Sequence, residues 1–228
     1  MKVLDRLHGC GVVPVMMMAK GFAGKITAVD IQSGAVEICR MTAERSHLEE
    51  RFFPVCADLN KLDFPAESFS LITVNPPYFV SGAGKENGTG VRDLARREGG
   101  CTLAQVTAVS ARLLKYGGRL CMCHRPERLA DVIFEMRKNR LEPKRLTFVN
   151  NATESKEPWL ILIEGRKGGH AGLKINYIQN GREIKNGKAL CCGNAHRQSR
   201  RFFAPRHGNA GKGGLYRCGG YPRYGKAA

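Results

Sequence analysis

The chain places carboxylates and an amide where short apolar runs end. Asp30 closes Ile26-Thr27-Ala28-Val29-Asp30, Asp58 stands in Cys56-Ala57-Asp58-Leu59, and Asn75 follows Phe69-Ser70-Leu71-Ile72-Thr73-Val74. Another acid, Asp5, opens the first turn in Val3-Leu4-Asp5-Arg6-Leu7-His8-Gly9-Cys10-Gly11, where a strand runs through a glycine-containing turn into a helix. Gly9 and Gly11 would let backbone approach a ligand, and Asp30, nineteen residues past Gly11, could accept from both hydroxyls of a ribose. That spacing suits a nucleoside cofactor. Asp58 could accept from an adenine amino group in turn. Strand-end acids also cap helices, so Asp30 and Asp58 keep that second reading.

The stretch Asn75-Pro76-Pro77-Tyr78 ends its run in another way. Prolines have no N–H to give a ladder, so they stop the strand and stiffen the turn after it. What is left pointing outward is an amide oxygen, a proline carbonyl and a phenol ring.

Elements must position these groups. Alternating short apolar runs predict strands over 2–4, 25–30, 52–56, 69–75, 119–123, 145–149 and 159–164. Longer patterns predict helices over 11–20, 33–46, 102–115 (closed by Gly117-Gly118) and 127–140. Strands separated by helices imply an α/β fold, a mainly parallel sheet covered on both faces. The first strand starts at residue 2 with no lead-in, and truncation at the N-terminus is expected.

Asn75-Pro76-Pro77-Tyr78 resembles the signature of amino-group methyltransferases that use S-adenosylmethionine, and each part has a physical reason. The lone pair of an exocyclic adenine N6 is delocalised into the ring, which makes it a poor nucleophile. Asn75 Oδ1 and the Pro76 carbonyl can accept from its two hydrogens and favour a more pyramidal nitrogen, while Pro76 and Pro77 hold those acceptors without reorganisation. Tyr78 supplies a plate for a base taken out of its stack. With Phe79, Arg92, Ala95-Arg96-Arg97-Glu98-Gly99-Gly100, Leu113-Leu114-Lys115-Tyr116-Gly117-Gly118-Arg119-Leu120 and His124-Arg125-Pro126-Glu127-Arg128-Leu129, the chain resembles the bacterial tRNA1(Val) adenine-N6-methyltransferase family over about residues 1–175.

The resemblance implies a Rossmann-like seven-strand methyltransferase sheet, S-adenosylmethionine as cofactor, tRNA as partner and transfer to N6 of an adenine beside the anticodon. It assigns Asp5, Gly9 and Gly11 to the cofactor turn, Asp30 to the ribose, Asp58 to the cofactor adenine, and Asn75, Pro76, Pro77 and Tyr78 to the substrate base. From charge and position, Lys85, Arg92, Arg96 and Arg97 could lie beside the tRNA backbone or equally belong to a solvated helix start. The family's turn reads D-x-G-x-G-x-G, whereas this chain has Leu7 at the first glycine. A leucine forced to positive φ would cost about 1–2 kcal/mol. Two other readings stay open: a release-factor glutamine N5-methyltransferase, whose amide poses the same lone-pair problem, and a non-catalytic RNA-binding remnant.

The net charge of +17 over 228 residues favours a polyanionic partner, nucleic acid before membrane. The charge is uneven. Residues 176–228 carry eleven Lys or Arg against Glu183 alone, with ten glycines and no apolar period. The expectation is therefore a methyltransferase domain over 1–175 and a basic Gly/Arg-rich tail over 176–228 that is disordered or an off-frame read. Nine cysteines without paired spacing suit a reducing cytoplasm. Cys10, Cys39, Cys56, Cys101, Cys121 and Cys123 read as small hydrophobes. Cys191, Cys192, His196, His207 and Cys218 match no common zinc spacing, so no metal is expected. No segment is long enough to span a bilayer, and a monomer is expected.

Overall fold

A computed structural model describes residues 1–6, 11–76, 101–150, 157–179, 182–185 and 188–190. Their strands are β1 (Lys2–Arg6), β2 (Lys25–Asp30), β3 (Phe52–Cys56), β4 (Phe69–Val74), β5 (Leu114–His124), β6 (Leu141–Asn150), β7 (Leu160–Lys167), β8 (Lys174–Gln179), β9 (Arg182–Lys185) and β10 (Lys188–Leu190). The helices are α1 (Val12–Ala19), α2 (Ser33–Arg45), α3 (Leu103–Leu113) and α4 (Leu129–Lys138). All ten strands form one sheet in the order β10-β9-β8-β6-β7-β5-β4-β1-β2-β3. β1 to β5 run parallel, and β7 is antiparallel to both β5 and β6.

The helices follow from local sequence. Gly11 caps α1 at φ +73, a conformation that favours glycine. A Cβ there would also come within 3.0 Å of Cys39 Sγ and 3.1 Å of the Phe52 ring. Pro14 sits in the first turn of α1, where a missing N–H leaves no intrahelical bond unmade. In α3 the buried Leu103, Val106, Ser110 and Leu113 recur at helical spacing. Thr102 and Gln105 close a capping box: Gln105 N–H donates to Thr102 Oγ1 at 3.2 Å, and Thr102 N–H donates to Gln105 Oε1 at 2.8 Å.

The helices cover opposite faces of the sheet. Leu4, Ile72, Leu120, Met122 and Ile163 pack with Val106 and Leu113 of α3 and Val132 and Met136 of α4. Val3, Ile26, Ala28 and Leu71 pack with Met18 of α1 and Cys39 and Ala43 of α2. Since β1 alternates, Leu4 and Arg6 share one face and Val3 and Asp5 the other.

Several boundaries differ from the sequence-based expectations, among them β6, which begins at Leu141 instead of 145, and β7, which runs on to Lys167 instead of ending at 164. β1 continues two residues past Leu4, which places Asp5 and Arg6 inside the sheet. α3 ends at Leu113, and β5 begins at Leu114 rather than at residue 119, because fully buried Leu114 pairs with Phe69 of β4. The expected boundary after residue 175 falls inside β8: Ile175, Tyr177 and Gln179 continue the parallel ladder opposite Leu146, Phe148 and Asn150. Tyr177 stacks on Phe148 with ring centroids 5.5 Å apart. The sheet thus holds ten strands instead of seven, the first seven in the order 3-2-1-4-5-7-6 from one edge. The described residues form part of a compact unit spanning 1–191.

Candidate active site

In this sheet β1 has β2 and then β3 on one side, and β4 and then β5 on the other. The direction of winding reverses between β1 and β4, and a crevice opens at the carboxyl ends of the strands at such a point. Arg6 is opposite both Val29 of β2 and Val74 of β4. Asp30 and Asn75 are each one residue further on, so they flank the end of β1. Asp30 is itself opposite Cys56, two residues before Asp58. Parallel pairing therefore gathers Asp5, Asp30, Asp58 and Asn75 along one edge of the sheet.

Each acid there is held differently. Asp5 is 2% exposed. Its Oδ1 accepts from Thr73 Oγ1 across the switch point, while Oδ2 is buried without a hydrogen-bond partner. Burial pushes this carboxyl up to about 7; the Thr73 hydroxyl and the Arg6 N–H oppose the shift, and the charge of Asp30 adds to it. Asp30 is also buried, with Oδ1 accepting from Gln32 N–H at 3.0 Å and its carbonyl accepting from Ala57 N–H at 3.0 Å. Asp58 Oδ1 accepts from Asn60 N–H at 2.9 Å and caps the 3-10 turn Leu59–Lys61, which is the capping role left open for it.

Asn75 is exposed and Pro76 buried, immediately past β4. The Asn75 N–H donates to the Arg6 carbonyl at 3.4 Å, tying this end of β4 to β1. Asn75 Oδ1 accepts from Cys123 Sγ at 2.9 Å. Cys123 was expected to pack as a small hydrophobe. Its alternation with Met122 and His124, both buried on the opposite face, was the signal that could have separated it from them. Arg6 was also missed. Its side chain is 1% exposed, with Nη1 donating to Ser110 Oγ at 3.3 Å and Nε and Nη2 without partners.

Leu7, Gly9, Pro77 and Tyr78 lie outside the described residues, as do Lys85, Arg92, Arg96, Arg97 and the tail's Cys191, Cys192, His196, His207 and Cys218. Among the described residues no group of three His, Cys, Asp or Glu could hold a metal, and no helix is long and apolar enough to cross a membrane.

Residues 3–97 match the family described as Methyltransferase domain. A Porphyromonas gingivalis protein named tRNA1(Val) (adenine(37)-N6)-methyltransferase is 30% identical over 169 residues, which are 72% of this chain and 64% of that protein. A release factor glutamine methyltransferase from Rhodopirellula baltica is 31% identical over 112 residues, 49% of this chain and 38% of that one. The chain thus spans less than two thirds of the length of these relatives. Among solved structures, a predicted O-methyltransferase from Agrobacterium tumefaciens superposes with a TM-score of 0.60 at 17% identity, covering 78% of this chain and 79% of its own. A geranyl diphosphate C-methyltransferase from Streptomyces coelicolor, solved with S-adenosyl-L-homocysteine, gives 0.55 at 12% identity over 73% and 70%. The chain has a Rossmann-like fold, its residues 3–97 match the Methyltransferase domain family, and it is similar in sequence to bacterial proteins named tRNA1(Val) (adenine(37)-N6)-methyltransferase.

Proposed function

We propose that this chain binds S-adenosylmethionine at the switch-point crevice and methylates the exocyclic N6 of an adenine in tRNA, of the tRNA1(Val) anticodon-loop type, as a monomer. The observation that carries the reading is Asn75-Pro76 standing at the end of β4, directly beside the β1 end that holds Asp5. The residues fit the cofactor. Asp5 Oδ2 is a buried oxygen that lacks a donor, the left-handed Gly11 begins α1, and two further acids follow along the same edge.

In this reading Gly9 and Gly11 let backbone approach the cofactor, Asp30 accepts from the ribose hydroxyls, and Asp58 orients toward the adenine ring. Asp5 meets the positively charged part of the molecule. When bound, S-adenosylmethionine supplies a methyl group on a positively charged sulfur, a leaving group that needs no further activation. Asn75 Oδ1 and the Pro76 carbonyl accept from the substrate amino group and hold its lone pair in line, with Pro77 fixing the turn and Tyr78 backing the base. The positive charge of the chain favours an RNA partner.

Calorimetry with S-adenosylmethionine, followed by nucleoside mass spectrometry of tRNA incubated with protein and cofactor, tests the proposal. N6-methyladenosine in the digest is the expected result; cofactor binding without it overturns the substrate assignment, and no binding heat overturns the enzyme reading in favour of an RNA-binding remnant. The Rhodopirellula relative favours release-factor glutamine as a second substrate class, so a release factor is assayed in parallel.

A further inference from the structure

The side chain expected to grip the substrate is itself gripped. Val74 pairs with Met122 in the parallel β4–β5 ladder, so positions 75 and 123 are neighbours one residue further on. Cys123 Sγ lies 2.9 Å from Asn75 Oδ1 and 3.9 Å from the Val74 carbonyl oxygen. Along β5, Leu120 and Met122 are buried beneath α3 and α4, His124 is buried on the same face, and the two thiols alternate onto the other. Both thiols are partly buried. Burial pushes that of Cys121 up to about 11, and Cys123 stands at the edge where Asn75 leaves the sheet. Two strands away from Cys123, Asp5 presents its buried, unpartnered Oδ2 at the same switch point, an independent sign that this edge is shaped for a ligand.

A carboxamide can turn about its last torsion and exchange its oxygen for its NH2 group. Only the oxygen serves a substrate amino group, because an NH2 turned toward an amino group sets donor against donor. A thiol donating to the oxygen selects against the turned form, and a carbonyl oxygen can take two donors at once. We propose that Cys123 is a positioning residue: its thiol donates to Asn75 Oδ1 and holds the carboxamide in the orientation that offers an acceptor to the substrate nitrogen. This rests on the methyl-transfer reading above.

The test compares Cys123→Ala and Cys123→Ser with the wild type on a stem-loop RNA carrying an unpaired loop adenine, each variant first shown to unfold at the wild-type temperature. One lost hydrogen bond lowers kcat about fivefold in Cys123→Ala, with KM for RNA and calorimetric affinity for S-adenosylmethionine unchanged. Cys123→Ser, which keeps a donor, recovers most of the loss. Wild-type kcat in Cys123→Ala, or equal losses in both variants, overturns the proposal. A second arm needs no activity: iodoacetamide labelling at position 123, read by mass spectrometry, should quicken severalfold in Asn75→Ala because the thiol has lost its carboxamide acceptor, 2.9 Å away, and keeps the Val74 carbonyl at 3.9 Å. An unchanged rate overturns the contact. If the wild type binds cofactor yet labels no RNA, the functional reading falls and the positioning role falls with it, while the labelling arm still decides whether thiol and carboxamide meet.

Discussion

Arg6 carries a charge into the sheet. Its guanidinium is fully buried, with Nη1 donating to the neutral Ser110 hydroxyl and the Cys101 thiol as a second side-chain partner; burial lowers it to about 10, and Cys101 opposes that shift. Leucine would fill similar space and remove the buried charge. Arg6→Leu is expected to raise stability by about 1–3 kcal/mol, seen as a higher urea midpoint at unchanged slope; a lower midpoint would mean that the charge has a partner worth keeping. Among the described residues, Asp5 and His124 are the groups shifted into the acidic-to-neutral range. The Asp5 carboxyl stands at about 7 in the fold, above its ordinary 3.8, so its contribution to stability is complete below pH 4 and is lost as pH rises toward 7. Buried His124 is held down at about 4, chiefly by burial and then by the Arg128 charge, so its contribution is complete above pH 6.5 and is lost as pH falls toward 4. The two slopes oppose each other between pH 4 and 6.5. Of these two slopes Asp5→Asn leaves the histidine one, so stability should climb more steeply with pH across that window in urea titrations than in the wild type.

At the scale of elements, α3 shows what short-range sequence does well. The Thr102 box and the Leu103, Val106, Ser110, Leu113 stripe specify its start and its inward face within a few residues of one another. Thr102→Ala should cost about 1 kcal/mol and lower the melting temperature by roughly 2–4 °C, measured by circular dichroism. The end of α3 is different. Arg112 donates to the carbonyls of Leu62 and Phe64 at 2.9 Å each, and Leu114 is drawn into pairing with Phe69, so partners some fifty residues distant decide where the helix stops. Gly11 belongs to both kinds. Its place in a glycine-containing turn was legible as room for close backbone approach, but its φ of +73 and the Cys39 and Phe52 atoms above it were not. Gly11→Ala is expected to cost about 1–2 kcal/mol in backbone strain and repacking, with a matching drop in the urea midpoint.

At the scale of the molecule, the sheet extends past the point where composition turns basic. Lysine, arginine and glycine obscured β8, whose support comes from the β6 backbone and from Phe148 beneath Tyr177. A chain ending at residue 190 should therefore unfold at higher urea than one ending at residue 175, by about 1–3 kcal/mol; coincident curves would show that β8 contributes nothing.

What the sequence determined by itself were the features written in near neighbours: the α/β alternation, most strand and helix positions to within a few residues, and acids and an amide at strand ends. Periodicity and turn chemistry act over three or four residues, and that range suffices for them. Tertiary structure decided what depends on strand order. Asp5 meets Thr73, Arg6 meets Ser110, and Cys123 meets Asn75, each across at least 48 residues of chain. Such pairs exist only because β1 lies between β2 and β4, and β4 between β1 and β5. Hydrogen-bonded ladders and buried faces set that arrangement jointly, and no local window of sequence contains both partners.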